Sequence, residues 1–264
     1  MLVNEARERG DLYAEMHLST YILSVVRIAD DDPGAARDGL RRVAGQWSRD
    51  GDHVQHNGLV WAAVQTDLYA GDGSAARDRV NGHWPTLWRS LRMRVQFLRV
   101  AMPGLRARCA PAASTPAGAG PLLRVAARDA ARLERERLPR ADAQALTVRA
   151  GLASLRGRQG GAVTHLREAA ARFRGCDMPR RAAAADLRLG SITGGPAGDA
   201  LAGQAAAWMT SQTVRRPDRV ADLFAPGFFA RRVRDSAIGH GSPRPALRPS
   251  PYTGAARPRP GRVV

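Results

Sequence analysis

The sequence predicts an all-α fold, an α-solenoid of stacked helical hairpins followed by a disordered Arg/Pro-rich tail. Three observations carry this prediction. Small-residue bends recur along the chain at a nearly constant spacing, which is typical of repeated helical hairpins. Between the bends, apolar residues recur with the spacing of amphipathic helices. Aromatic residues make up only 5% of the 264 residues, so a core must be built mainly from Ala, Leu and Val.

The bends form a repeat. The stretch from Asp31 to Ala36 lies 40 residues before the similar stretch from Gly71 to Ala76. A third stretch, Gly157–Ala162, follows 86 residues later, and a weaker echo at Gly195–Ala200 lies 38 residues beyond that. A small-residue bend followed by alanine resembles tetratricopeptide-type repeats, although their usual period is shorter, at about 34 residues. Chance similarity in an alanine-rich chain is the alternative explanation.

The best-defined element is the hairpin at 53–88, whose first helix presents Val60, Val64 and Leu68 on one face. Asp72 or Ser74 is expected to cap its second helix. Around this hairpin the apolar spacing predicts further helical segments at 4–30, 34–49, 89–110, 122–137, 141–156, 160–174, 179–190, 199–212 and 217–225.

Two features are expected to interrupt these segments. Pro103 should kink or break the segment at 89–110, because proline removes a backbone donor and clashes with the preceding turn. The small-residue stretch at 111–121 predicts a linker between an N-terminal half at 1–110 and a C-terminal half at 122–228.

The tail at 229–264 differs in composition from the rest of the chain. From residue 231 onward it holds 8 Arg, 1 Asp and 6 of the 17 Pro, with almost no large apolar residues. Such a segment cannot bury enough surface to offset the entropy of ordering, so the tail is predicted to be disordered. It carries a net charge of +7 and leaves +10 of the total +17 on the preceding residues.

All 41 basic residues are arginine, which is typical of a very GC-rich coding sequence. The lack of lysine excludes the GK[ST] phosphate loop, the protein-kinase strand lysine, Schiff-base enzymes and SxxK hydrolases. No GxSxG elbow is present, and no strand precedes the Gly71–Gly73 bend to make a nucleotide loop. The sequence therefore predicts no enzyme and no cofactor.

Two clusters suggest metal ligands, but each has a simpler explanation. His53 and His56 lie three residues apart, yet no further ligand has matching local spacing, so they are interpreted as residues at a helix start. Asp30, Asp31 and Asp32 lack the EF-hand spacing and are interpreted as capping residues, with Pro33 in the first turn of the next helix. No metal site is predicted.

The stretch from Trp84 to Arg94 combines aromatic side chains with arginines. Nucleic-acid surfaces interleave these types for base stacking and phosphate pairing. Trp84 and Trp88 are four residues apart, however, which also suits packing between hairpins, and both interpretations stay open. Arg89, Arg92 and Arg94 are the candidate partner-binding residues.

The chain holds no run of 18 apolar residues, and its first residues are charged. Cys109 and Cys176 form no CxxC pair, which suits a reducing compartment. These features predict a cytoplasmic protein without a membrane span.

A series of short strings along the chain carries a family resemblance: Arg7–Ala14, Ala29–Pro33, Gln65–Gly73, Trp84-Pro85 with Ser90-Leu91, Leu133–Pro139, Asp177-Met178, Ala207–Met209 and Ala225–Phe228. In this order they resemble the C-terminal repeat region of large bacterial serine/threonine protein kinases. The likeness covers residues 1–228 and implies a tetratricopeptide-like array that follows a kinase domain. The kinase motifs themselves are missing, so no catalytic residue is carried over, and the chain is expected to be a C-terminal piece whose tail after Phe228 departs from the family.

The expected function is a non-catalytic, regulatory helical-repeat module that binds a protein or peptide partner, with arginines pairing to acidic groups. The alternative is a basic nucleic-acid-binding protein that uses the Arg-rich tail and the Trp84–Arg94 stretch. Binding through the tail would be non-specific, because it rests on charge alone.

Overall fold

The computed structural model describes residues 2–47, 53–114 and 119–228, and every regular element in these ranges is helical, as predicted. The predicted tail at 229–264 lies outside the described residues. A π-helical turn is formed by Ser19–Leu23, and a 3-10 turn by Leu91–Arg94. The α-helices are α1 (Leu2–Glu8), α2 (Leu12–Leu18), α3 (Ser24–Ala29), α4 (Pro33–Gln46), α5 (Val54–Tyr69), α6 (Gly73–Arg89), α7 (Gln96–Ala113), α8 (Ala119–Arg135), α9 (Pro139–Leu155), α10 (Gln159–Gly175), α11 (Pro179–Thr193), α12 (Gly195–Ser211) and α13 (Pro217–Phe224).

Many of the bends contain a residue with positive φ just after the end of a helix, whereas α4, α6 and α7 end at residues with extended backbone. Over much of the chain such residues lie about 20 positions apart. Two helices with their two bends therefore cover about 40 residues, which is the spacing of the small-residue bends in the sequence. A left-handed residue closes a helix by satisfying its last carbonyls. The positions are Gly10 (φ 67°), Asp31 (57°), Gly71 (79°), Arg137 (52°), Gly157 (71°), Asp177 (54°), Gly194 (64°) and Thr213 (63°).

In three bends an aspartate follows the positive-φ residue and caps the next helix. The Asp72 carboxylate accepts a hydrogen bond from the Ala75 N–H at 3.0 Å, as one of the two expected capping arrangements requires. The Asp32 carboxylate caps α4 in the same way at 2.9 Å, and α4 begins at Pro33, also as predicted. Asp11 caps α2, so the bend at Gly10 divides the predicted helix at 4–30.

Two predicted interruptions differ from the structure. Pro103 was predicted to kink or break its segment, and the prediction of a break was wrong. Helix α7 continues through Pro103 to Ala113. Burial of Met102, Pro103 and Leu105 offsets the lost backbone hydrogen bond. The predicted linker at 111–121 is shorter than expected, since α7 enters it from one side and α8 begins at Ala119; residues 115–118 lie outside the described part.

Each helix from α4 onward packs on its neighbour in the chain across the described hairpins, and α13 packs back on α5, α7 and α11. The backbone N–H of Arg215 donates to the carbonyl of Ala29 at 2.9 Å. Arg219 forms a salt bridge with Asp31 at 2.9 Å, and the Tyr69 hydroxyl donates to the same carboxylate at 2.8 Å. The end of the described chain is therefore tied to the turn between α3 and α4.

The core is built mainly from Ala, Leu and Val, as the composition predicts. The largest cluster joins α5, α6, α7, α11, α12 and α13 through side chains such as Val64, Leu105 and Leu223. Small residues allow close helix contacts: a Cβ added at Gly190 of α11 would collide with the Gly198 carbonyl and with Ala202 of α12. Replacing such a residue by a larger one would force two helices apart.

Arginine–carboxylate pairs connect neighbouring helices. Asp67 of α5 is 3% exposed and pairs with Arg37 of α4 and Arg79 of α6 at 3.1 and 3.0 Å. Similar pairs follow along the chain, so many arginines hold helices together. They are Arg106–Asp129 between α7 and α8, Arg149–Glu134 between α9 and α8, Arg172–Asp142 between α10 and α9, Arg174–Asp186 between α10 and α11, and Arg188–Asp222 between α11 and α13.

Candidate partner-binding groove

A groove with a volume of about 380 Å³ lies between the α2–π-turn segment, the start of α5 and the start of α7. We call it the aromatic groove, and its principal lining residues are Tyr13, His17, Tyr21, Val54 and Phe97. Val54 and Phe97 come from the first turns of α5 and α7, so three separate parts of the chain build the groove.

One wall of the aromatic groove is a row of rings at four-residue spacing. Tyr13 stacks on His17 with centroids 6.3 Å apart, and His17 lies 4.9 Å from Tyr21. Tyr21 in turn contacts Trp61 of α5 at 5.4 Å. Gly58 makes room for this contact, because an added Cβ would lie 3.0 Å from the Tyr21 hydroxyl. Burial raises the pKa of Tyr21, and nearby Tyr13 adds to the shift, so the hydroxyl stays neutral at physiological pH.

The π turn shapes this wall. Thr20 donates its hydroxyl hydrogen to the Met16 carbonyl at 2.8 Å, and Ser24 donates in the same way to the Thr20 carbonyl at 2.5 Å. The first bond joins the π turn to the end of α2, and the second lies at the end of the turn itself. Single π-helical turns of this kind are often found near functional sites.

Several apolar side chains at and near the aromatic groove face solvent. Tyr13 is 59% exposed, Val54 51% and Phe97 55%. Leu91 and Val95, in the segment that leads into α7, are exposed at 72% and 53%. Tyr13, Val54 and Phe97 line the same groove, and exposed apolar residues grouped in this way mark interaction sites, whereas single exposed residues need no explanation.

The three arginines predicted to bind a partner lie on the segment that leads into this groove. Arg89 ends α6, and Arg92 and Arg94 belong to the 3-10 turn. Arg89 and Arg94 are exposed, whereas Arg92 is partly buried and burial lowers its pKa. Arg94 precedes Phe97 by three residues, which places their Cα atoms within about 11 Å.

The backbone of this arginine segment is held in place. Arg99 donates from Nη1 to the Arg94 carbonyl at 2.7 Å and from Nε to Glu136 at 2.8 Å. Within the described ranges, neither Arg89 nor Arg94 forms a salt bridge. Two exposed guanidinium groups therefore remain available for an acidic partner.

Trp84 and Trp88 pack against arginines of the same chain. Their rings stack with centroids 5.7 Å apart. The Arg106 guanidinium lies 3.3 Å from the Trp84 centroid, and that of Arg132 lies 4.7 Å from the Trp88 centroid. Asp129, fully buried, holds both arginines at 2.7 Å. This contact pattern favours the packing interpretation for Trp84, because Arg106 lies against its ring. Trp88 is contacted by Arg132 but stays 50% exposed.

The other candidate residues serve local structure. The backbone N–H of His53 donates to Nδ1 of His56 at 3.0 Å, so this pair caps α5. In the described part of the chain, no group of three or more His, Cys, Asp or Glu side chains could hold a metal ion. None of the described helices combines the length and apolar character that crossing a bilayer requires.

The sequence reasoning missed the aromatic row as part of a site. Tyr13, His17 and Tyr21 repeat at intervals of four, a signal that was readable on a helix. Their grouping with Val54 and Phe97 was not readable, since these come from distant segments. A scan against protein-family models, a search of curated proteins and a search of solved structures each returned no match for this chain.

Proposed function

We propose that the chain is a non-catalytic binding module that docks an acidic, amphipathic segment of a partner protein in the aromatic groove. The observation that carries this proposal is the exposed apolar lining of the groove beside the arginine segment at 89–94. Apolar side chains of the partner would enter the groove, and its carboxylates would pair with Arg89 and Arg94. This division of roles is common where an amphipathic helix binds a groove.

The charge of the chain supports an acidic partner. With a net charge of +17, the protein attracts acidic surfaces at long range and accelerates encounter with them. The exposed rings supply contact area at low entropic cost, because tyrosine and phenylalanine have few rotatable bonds. Affinity would come mainly from Tyr13 and Phe97, and discrimination between partners from the arginines.

The proposal extends to the architecture and to the parent protein. The bends near every 20 residues and the packing of consecutive helices support a tetratricopeptide-like solenoid. The ordered strings that resemble bacterial serine/threonine kinases support a role as the docking region of such a kinase. The DNA upstream of the coding sequence tests this part: a kinase reading frame continuous with Met1 is expected, and an unrelated or closed frame would contradict it.

Selection from a displayed random-peptide library, with the full chain as bait, tests partner recognition. We expect enriched peptides to combine apolar residues at helical spacing with several Asp or Glu. The triple variant Arg89→Glu, Arg92→Glu, Arg94→Glu should then weaken binding of a selected peptide by about 10-fold or more, measured by fluorescence anisotropy. Circular dichroism should show an unchanged helix content.

A matched control uses three other exposed arginines, Arg124, Arg128 and Arg167. Reversing these three to Glu changes the net charge equally but leaves the segment at 89–94 intact. An equal loss of affinity in this control would contradict the proposed site, as would enrichment of peptides without acidic residues. Duplex DNA binding that falls steeply with salt and vanishes without residues 229–264 would indicate loose charge attraction by the tail.

A further inference from the structure

A second cavity, of about 420 Å³, lies away from the aromatic groove, between α3 and α5 on one side and α11, α12 and α13 on the other. We call it the Arg181 cavity. Its walls combine aromatic and polar side chains, and those that matter most are Trp61, Gln65, Arg181, Trp208 and Phe224. None of them belongs to the groove lining or to the arginine segment.

Arg181 is a partly buried cation without a carboxylate partner in the described residues. Its guanidinium lies 4.7 Å from the ring centroid of Phe224 and 5.9 Å from that of Phe173, and it makes no salt bridge. Charges removed from water are normally paired, because desolvation is costly. Arg181 therefore has an unmet requirement for an anion.

A second buried arginine lies close by and adds to this requirement. Arg108 is 4% exposed and stands 5.6 Å from the same Phe224 ring. Its partners are backbone carbonyls, those of Leu223 at 2.8 Å and Gly104 at 3.3 Å, so no carboxylate neutralises it. Burial, followed by repulsion from Arg108 and Arg180, lowers the pKa of Arg181 to about 9.

Polar side chains other than the arginine also line this cavity. Gln65 is 4% exposed, and its amide makes no hydrogen bond with the described residues. The amide atoms keep some contact with solvent, so a ligand that enters the cavity could replace water as their partner. The indole N–H groups of Trp61 and Trp208 likewise donate to no described residue. A polar ligand group could accept from these donors.

The charges of the lining favour a ligand with one negative charge. Arg180 and Arg181 bring two positive charges, and Asp177 brings one negative charge, which leaves the lining at +1. Arg108 is not part of the lining, and its guanidinium is held by backbone carbonyls, so it adds positive potential but no direct contact for a ligand. A carboxylate balances this charge, whereas a phosphate dianion would be repelled by Asp177. The guanidinium fork matches the two oxygens of a carboxylate, and the indole and phenyl rings favour a flat apolar body.

We propose that the Arg181 cavity binds a small aromatic carboxylic acid, with the carboxylate on Arg181 and the rings of Trp61, Trp208 and Phe224 around the apolar body. Gln65 donates to, or accepts from, the polar edge of the ligand. This site is independent of the partner-binding proposal, because the two cavities share no lining residue.

Isothermal titration calorimetry with 1-naphthylacetate and its neutral amide, 1-naphthylacetamide, tests the proposal on the unaltered full chain. The two probes have nearly the same shape and differ in charge. We expect the acid to bind about 10- to 100-fold more tightly than the amide, the gain typical of charge-assisted hydrogen bonds. Absence of acid binding at millimolar concentration, or equal binding of the two probes, would overturn the proposal.

The substitution Arg181→Gln locates the site. It should reduce the preference for the acid over the amide to near unity, while the matched exposed-arginine variant Arg167→Gln keeps the preference of the unaltered chain. Retention of the full preference in Arg181→Gln would overturn the assignment. 1-Naphthyl phosphate tests the charge of the ligand. It should bind to the unaltered chain more weakly than 1-naphthylacetate and should gain affinity in the variant Asp177→Asn. If the phosphate binds to the unaltered chain more tightly than the carboxylate, the proposal of a carboxylate ligand is overturned.

Discussion

The Trp84–Trp88 stack and the Arg181 cavity both combine aromatic rings with arginines, but they differ in whether a carboxylate pairs with the arginines. In the stack, Arg106 and Arg132 cover indole rings and share the buried carboxylate of Asp129. In the cavity, Arg181 contacts two phenylalanine rings but has no carboxylate in the described residues. The first set of groups is complete within the chain, and the second lacks an anion.

This difference shows that aromatic–arginine composition does not by itself identify a binding site. The Trp84–Arg94 stretch has that composition, yet both of its tryptophans already contact an arginine that is paired with Asp129. The Arg181 cavity draws its residues from segments that carry no local signature. What separates a structural cluster from a candidate site is whether its arginines have a carboxylate partner within the chain, and only the fold shows this.

The largest effect is expected from removing the anion of the stack. Asp129→Asn leaves Arg106 and Arg132 facing a neutral group in a fully buried position. Breaking a buried pair in this way costs about 3–5 kcal/mol. Urea unfolding followed by circular dichroism measures the loss. The control Asp38→Asn removes an exposed pair with Arg41, and it should change the free energy of unfolding by less than about 1 kcal/mol. Equal losses in the two variants would show that the buried Asp129 pairs stabilise the chain no more than an exposed pair does.

A smaller effect is expected from matched substitutions of the arginines themselves. Arg106→Met removes one partner of Asp129 and should lower the free energy of unfolding by about 2–4 kcal/mol, since Arg132 still pairs with the carboxylate. Arg181→Met removes a cation without a counterion and should change stability by less than about 1 kcal/mol, or increase it. Similar losses for both variants would indicate that Arg181 is already neutralised.

The last expected effect is a pH dependence. The pKa of Arg181 lies at about 9 in the folded chain because burial disfavours its charge, whereas its ordinary value is 12.5. Above about pH 9 the unfolded chain therefore binds more protons than the folded chain, so stability from this group rises with pH. Between about pH 8 and pH 10.5, the unaltered chain should therefore gain stability relative to Arg181→Met, measured as the difference between their free energies of unfolding. If this difference in stability does not change with pH, the view that Arg181 is a buried cation without a counterion is contradicted.

Local signals predicted the helices well. Apolar spacing and the bends at Gly71 and Asp31 placed helix starts within a few residues, because caps and turns depend on neighbouring positions. Pro103 was misjudged because tertiary packing on both sides of α7 outweighs a lost hydrogen bond. The role of arginine was also underestimated, since each partner carboxylate lies on another helix, as with Arg37 and Asp67.

The candidate sites were less accessible to sequence reasoning. Arg89 and Arg94 were identified from composition, and the structure places them on the segment leading to the groove. Trp61, Arg181 and Phe224 come together only through the return of α13 onto α5 and α11. The contacts of Trp61 with this part of the chain join positions more than 100 residues apart, and no pattern of local spacing encodes them.

The return of α13 has a kinetic consequence. Val220 and Leu223 share one hydrophobic cluster with Val64 and Leu105, so this part of the core stays open on the ribosome until residue 224 has emerged. Contacts of such long sequence separation slow folding and leave apolar surface exposed during synthesis. The nascent N-terminal helices therefore depend on the last described helix for protection, and premature termination before α13 would release an aggregation-prone intermediate.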